Sequence, residues 1–94
     1  MNEYLQKIER GHVEQAGRYL LKNPATGRKK SKTRGVVIDG HPFPTKETIR
    51  WAYCLATMTS YENLPQPFFS SQFTTDVASA KLRNLNFTVG PLTK

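Results

Sequence analysis

Apolar residues near the start of the chain recur with a helical period. Val13, Ala16, Gly17, Leu20 and Leu21 fall at i, i+3, i+4, i+7 and i+8, a spacing that draws one stripe along a helix. Tyr4, Leu5 and Ile8 form an earlier apolar group. Gly11 stands between the two, so the pattern predicts either one interrupted helix or two. Asn23-Pro24 stops the run, because the residue before a proline is pushed out of the helical region.

From Pro24 to Arg34 the periodicity vanishes. Pro, Gly, Ser, Thr and cations fill the stretch, and large apolar side chains are missing from it, which predicts a basic loop that is mobile at its centre. Val36-Val37-Ile38 is β-branched and predicts a strand. Asp39-Gly40 then suits a type I′ turn, whose two central residues both need positive φ. The return strand is expected over His41–Phe43, kept short and at a sheet edge by Pro42 and Pro44.

Thr45 is the expected N-cap of the next helix, with Glu47 in its first turn opposite the helix dipole. That helix is expected over 46–58, with Ile49, Ala52, Tyr53 and Ala56 as its stripe and Trp51, Leu55 and Met58 widening it. Residues 60–70 carry Pro65 and Pro67 without a period, and read as a loop that Phe68, Phe69 and Phe73 pin to the core. Ser71 or Thr74 caps a further helix with Asp76 in its first turn and Ala78, Leu82 and Leu85 facing inward. Asn86 suits the left-handed position that ends it, Phe87-Thr88-Val89 predicts a short last strand, and Gly90-Pro91 closes that strand. The order helix, hairpin, helix, helix, strand describes one small α+β domain over residues 1–94, and a winged-helix-like arrangement fits the same order.

Charge changes the picture more than composition does. The chain has 94 residues and 37% hydrophobic content, enough for one small core. No stretch approaches the roughly 20 apolar residues of a membrane span. MNEYLQKIER lacks the apolar centre of a signal peptide, and a lone cysteine, Cys54, does not suit a small secreted domain, so a cytoplasmic protein is expected. No helix pairs a basic face with a bulky apolar one, so no membrane partner is expected either. The formal net charge is +7, which favours a polyanion, chiefly nucleic acid.

A catalytic constellation is missing from the pattern. The two histidines, His12 and His41, are distant from each other, and with one cysteine they make no zinc site. Cys54 falls inside the core-forming helix, where a thiol packs as a small hydrophobe. Asp39 is committed to a turn, while Glu47 and Asp76 sit at helix starts. No carboxylate cluster holds a divalent ion and no Gly-rich loop cradles a phosphate, so neither enzyme activity, a metal nor a cofactor is expected.

Binding chemistry has more to stand on. Lys22, Arg28, Lys29, Lys30, Lys32 and Arg34 gather around one loop, and no acid occurs between Glu14 and Asp39. On DNA such side chains release condensed counterions, while the competing reading is a solvated loop. Lys46 and Arg50 share a helix face at i, i+4, and Lys81 and Arg83 lie on the polar side of the last helix. Thr74, Thr75 and Ser79 sit nearer its start, where hydroxyls and backbone N–H groups suit phosphate, and the competing reading is an ordinary polar face. Trp51, Phe68, Phe69 and Phe73 are expected in the core rather than stacked on bases, whereas His41 is expected to be exposed beside the basic loop.

The segments VVIDGHPFPTKETIRWA and FFSSQFTTDVASAKLRNLNFTV resemble the N-terminal head domain of ScoMcrA-like modification-dependent restriction endonucleases and related HNH proteins. The likeness runs through Gly40, Phe43-Pro44-Thr45-Lys46, Phe69-Ser70 and Leu85–Val89, a little over half the chain. Phe43 stands where that family has Tyr, Ser71 and Gln72 where it has glycines, and Asn86 where it has Gly. The resemblance implies a DNA-binding module without the nuclease domain, in a restriction or phage-defence setting, with Lys46 and Ser70 as the matching polar positions. The expected function is thus non-catalytic binding of double-stranded DNA through the basic loop and helix faces. The alternative is a protein-interaction module, an inhibitor or adaptor that docks on an acidic protein surface with Tyr61, Phe68 and Phe69 as anchors. Exposed aromatics in Pro65–Phe69 favour the protein partner, and buried ones favour DNA. The oligomeric state stays open.

Overall fold

The computed structural model describes residues 2–23 and 35–90. It is an α+β domain whose helices lie on one face of a three-stranded antiparallel sheet. Helices α1 (Asn2–Leu5) and α2 (Arg10–Lys22) are separate. The break falls across residues 6–9, ahead of Gly11, which lies in the first turn of α2. Where α2 begins, the Glu9 backbone N–H donates to His12 Nδ1 at 3.0 Å.

Strands β1 (Gly35–Ile38) and β2 (His41–Pro44) form the expected hairpin. Asp39 and Gly40 have φ of 52° and 82°, the signature of a type I′ turn. The third strand, β3 (Thr88–Gly90), pairs on the other side of β1, so the order is β2-β1-β3 and the two prolines lie on an edge strand as expected. Register sorts the faces. Val36 pairs with Phe43 and Val89 on the inner side, while Val37 pairs with Pro42 and Thr88 on the outer side. Val36 is fully buried and Val37 is 42% exposed, so alternation holds across the central strand.

Helix α3 (Thr45–Thr57) starts one residue earlier than its sequence pattern suggests. Thr45 is not the N-cap. Pro44 is, and Thr45 is buried as the first helical residue, because β2 turns straight into the helix without a spacer. Thr48 Oγ1 instead donates back to the Pro44 carbonyl at 2.7 Å. Two 3₁₀ turns, Tyr61–Asn63 and Gln66–Phe69, follow before α4 (Thr75–Asn84). Thr74, rather than Ser71, caps α4, its Oγ1 accepting from the Val77 N–H at 3.1 Å.

The core gathers where α2, α3, α4 and the sheet meet, with Ile8, Val13, Val36, Ile49, Phe68, Phe73 and Leu82 at its centre. Four side chains expected inward, Leu21, Leu55, Met58 and Phe69, lie outside it. Leu21 is 52% exposed, because eight positions after Val13 the helix has rotated it past the edge of the stripe. Met58 is 95% exposed, having left the helix in a left-handed conformation at φ 56°. Ser79, expected among hydroxyls facing a phosphate, is fully buried, and its hydroxyl has no hydrogen-bond partner.

Gly17 sets how closely α2 approaches β1. A Cβ there would lie 2.8 Å from Ile38 Cγ2, 3.0 Å from its Cδ1 and 3.2 Å from its Cβ. Ile38 is β-branched and fixed in the central strand, so only its Cδ1 could swing aside. Gly17→Ala gains up to about 1 kcal/mol of helix propensity but overpacks the contact by about 1–3 kcal/mol. The expected net result is a lower urea midpoint with an unchanged slope, and Gly17→Val should cost more. A Gly17→Ala protein as stable as the parent would show that α2 can move away from β1.

Candidate functional site

The expected site residues fall into groups that the fold keeps apart. Arg28, Lys29, Lys30, Lys32 and Arg34 lie outside the described residues. Lys22, which leads toward them, is exposed in the last turn of α2. His41 is exposed at the start of β2, directly after the turn.

Lys46, Arg50 and Ser70 converge, but on the 66–73 segment rather than on solvent. The face that Lys46 and Arg50 share is covered by that segment. Arg50 Nε and Nη2 both donate to the Phe68 carbonyl, at 2.9 and 2.8 Å. Its guanidinium lies 5.1 and 5.4 Å from the ring centres of Phe69 and Phe73, and 3.5 Å from Glu47 Oε1. With 15% of its side chain exposed and its fork directed inward, Arg50 anchors the loop and is not placed to meet a phosphate. Lys46 Nζ lies 5.9 Å from the Phe73 ring centre, over the same aromatic group. Ser70 Oγ donates to the Pro67 carbonyl at 3.0 Å and accepts from the Gln72 N–H at 3.2 Å, so it shapes its own turn. Thr74 is exposed, with its hydroxyl engaged as the α4 cap.

Lys81 and Arg83 lie in the last turn of α4, at the opposite end from Thr74. Arg83 is exposed. Lys81 lines a cleft of about 320 Å³ between α1 and α4, with Leu5, Gln6, Val77, Ala80 and Asn84.

Two arrangements were not legible in the sequence. Arg10 Nη1 donates to the carbonyls of Leu85 and Asn86, at 2.7 and 3.2 Å, and its guanidinium lies 4.3 Å from the Phe87 ring centre. It closes the end of α4, where Asn86 takes the left-handed position at φ 69° and the Phe87 N–H bonds back to the Leu82 carbonyl. Nothing local signals this contact. The second arrangement is an aromatic row. Tyr19 packs at a tilt against Trp51 with ring centres 4.5 Å apart, Trp51 likewise against Tyr61 at 4.8 Å, and Tyr61 meets Phe69 edge-on at 5.8 Å. The Pro65–Phe69 aromatics divide, with Phe68 fully buried and Phe69 47% exposed.

Tyr61 is tied to α3 as well. Its hydroxyl donates to the Glu47 carboxylate, 2.6 Å from Oε1 and 2.9 Å from Oε2. Burial, then the bond to Glu47, pushes the phenol up to about 12. Burial pushes the Cys54 thiol up to about 11, with the Glu47 charge adding to it against a lowering backbone hydrogen bond. A thiol held there is a poor nucleophile at neutral pH. No group of three or more His, Cys, Asp or Glu among the described residues is placed to hold a metal ion. Nor is any helix among them long and apolar enough to cross a membrane.

Arg50→Ala leaves the Phe68 carbonyl without its donors, and the expected loss is about 1–3 kcal/mol in denaturant unfolding. Arg50→Lys should recover little, since one ammonium cannot reproduce the two-pronged contact. For Tyr61 the raised value favours the neutral phenol in the folded protein. Its contribution is therefore full below the ordinary value of 10.0 and is lost as pH climbs toward about 12. An ultraviolet titration should show one tyrosine ionising late, and Tyr61→Phe should remove that phase.

Set beside protein-family models, curated proteins and solved structures, the chain finds no match in any of the three comparisons.

Proposed function

We propose that the protein is a non-catalytic, cytoplasmic nucleic-acid-binding module with double-stranded DNA as its ligand. The observation that carries this reading is the segregation of charge. Residues 15–38 hold seven of the fourteen Lys and Arg and none of the seven Asp and Glu. The remainder then holds seven cations and seven anions, so the whole net charge of +7 resides in that one interval. Charge this concentrated repels itself unless a polyanion neutralises it.

Arg18 and Lys22, the described members of the interval, are both exposed on α2. Arg28, Lys29, Lys30, Lys32 and Arg34 follow as the principal phosphate ligands, with His41 and Arg83 as exposed flanking positions. Phosphate contacts position a duplex without reading it, so this module binds with little sequence preference. The resemblance of residues 36–89 to restriction-endonuclease head domains supports a restriction or phage-defence setting.

The test is fluorescence anisotropy with a duplex across a salt series. Parent binding should weaken steeply with salt, by nearly one power of salt concentration per neutralised phosphate. Replacing Arg28, Lys29, Lys30, Lys32 and Arg34 together with Ala should flatten that slope by about 4 and weaken binding at low salt. Arg50→Gln should leave the slope unchanged. A folded parent that ignores duplex DNA at low salt would overturn the proposal.

A further inference from the structure

The outer side of α2 is as regular as its buried stripe. Gly11, Gln15, Arg18 and Lys22 follow at i, i+4, i+7 and i+11 and form one ridge about 16 Å long, opposite Val13, Ala16, Gly17 and Leu20. All four are exposed, and the side chains of Gln15, Arg18 and Lys22 make no hydrogen bond or ion pair with another described residue. Glu14 flanks the ridge one turn before Arg18, where Arg10 meets its carboxylate at 3.4 Å. Gly11 is at odds with its place. It lies in a helix with open space where a Cβ would go, so nothing in the protein requires glycine there, and alanine would form the helix better. A bare backbone on an exposed ridge lets another molecule come close. Conflicts of this kind with local propensity gather at functional positions.

We propose that this ridge lies against the backbone of the duplex, with Arg18 and Lys22 on phosphates, Gln15 hydrogen-bonded to the sugar-phosphate chain and Gly11 at the closest approach. This rests on the DNA-binding reading above and adds the helix that faces the ligand. The other polar faces are already engaged. On α3, Arg50 and Lys46 turn onto the aromatic loop. On α4, Thr74 caps its own helix, Ser79 is buried and Lys81 lines the cleft beside α1. Arg18 and Lys22 share a face of α2, Lys22 ends that helix, and residues 24–34 carry five more cations. Charge selects the occupant. A strand of duplex DNA presents about five phosphates over the length of the ridge. A folded acidic protein does not hold carboxylates in so dense a row, because their repulsion opposes its folding. Contacts of this kind set the orientation of the duplex, not the sequence that is bound.

The test is fluorescence anisotropy of the full chain with a labelled duplex across a salt series. Arg18→Gln combined with Lys22→Gln should flatten the salt slope by about 2, at roughly 0.9 per phosphate. Lys7→Gln, which removes an exposed cation that is not on α2, should leave the slope unchanged. Gln15→Ala should weaken binding about five-fold, and Gly11→Leu about ten-fold, both without changing the slope. Gly11→Leu should not lower the melting temperature, because leucine is the better helix former and its Cβ meets no atom within 4 Å. Lost binding in a protein of undiminished stability cannot be blamed on unfolding. The proposal is overturned if the double variant keeps the parent slope, if Gly11→Leu binds like the parent, or if Lys7→Gln flattens the slope as much per charge. It is overturned equally if poly-glutamate binds more tightly than the duplex and depends on Arg18 and Lys22. A parent that ignores the duplex overturns DNA binding itself, whereas a parent that needs Arg28 to Arg34 but not the ridge overturns only the role of α2.

Discussion

The segment between α3 and α4 depends on the fork that Arg50 makes with the carbonyl of Phe68. That segment has no ladder to hold it, only two short 3₁₀ turns and the prolines at 65 and 67. Its position comes from α3. Arg50 fixes the backbone at Phe68, Glu47 holds Tyr61, and the buried rings of Phe68 and Phe73 meet at 5.3 Å. The Phe68 ring in turn packs against Tyr53 at 4.8 Å and against Tyr4 of α1 at 5.7 Å. One charge-assisted contact therefore sets where a loop enters the core, and α1, α3 and the start of α4 are placed around it.

What the sequence made legible is what a few neighbouring residues decide. Asp39-Gly40 has one good conformation, and it is the one observed. Thr74 and Asn86 likewise act within their own helix turns. Arg50 was legible as a basic residue on a polar face, but its role is settled by a carbonyl 18 positions away. Arg10 is decided by carbonyls 75 and 76 positions away, which no periodicity can express. Leu21 and Met58 misled for a third reason. Spacing says which residues share a side of a helix, but not how wide the covered part of that side is.

Charge is unevenly divided along the chain. Outside residues 15–38 the sequence carries equal numbers of cations and anions, and two pairs of them meet in the structure. Arg10 pairs with Glu14 at 3.4 Å and Arg50 with Glu47 at 3.5 Å, both within a single helix. Such pairs contribute little to stability when exposed. Of the seven cations in that interval, Arg18 and Lys22 lie on α2, and the other five fall in sequence between α2 and β1.

The ends of α3 and α4 make a natural comparison, because their backbones do the same thing. Each closes with a left-handed residue, Met58 at φ 56° and Asn86 at φ 69°. Each is followed by an N–H that bonds back to a carbonyl five residues earlier, Thr59 to Cys54 and Phe87 to Leu82. At α4 the residue after the turn, Phe87, is buried, and Arg10 covers the last carbonyls, so the end is finished from within the protein. At α3 the left-handed residue, Met58, leaves its side chain almost wholly exposed. Backbone geometry alone favours asparagine at both ends. At α3 a methionine holds that position instead, at a backbone cost that asparagine would not carry.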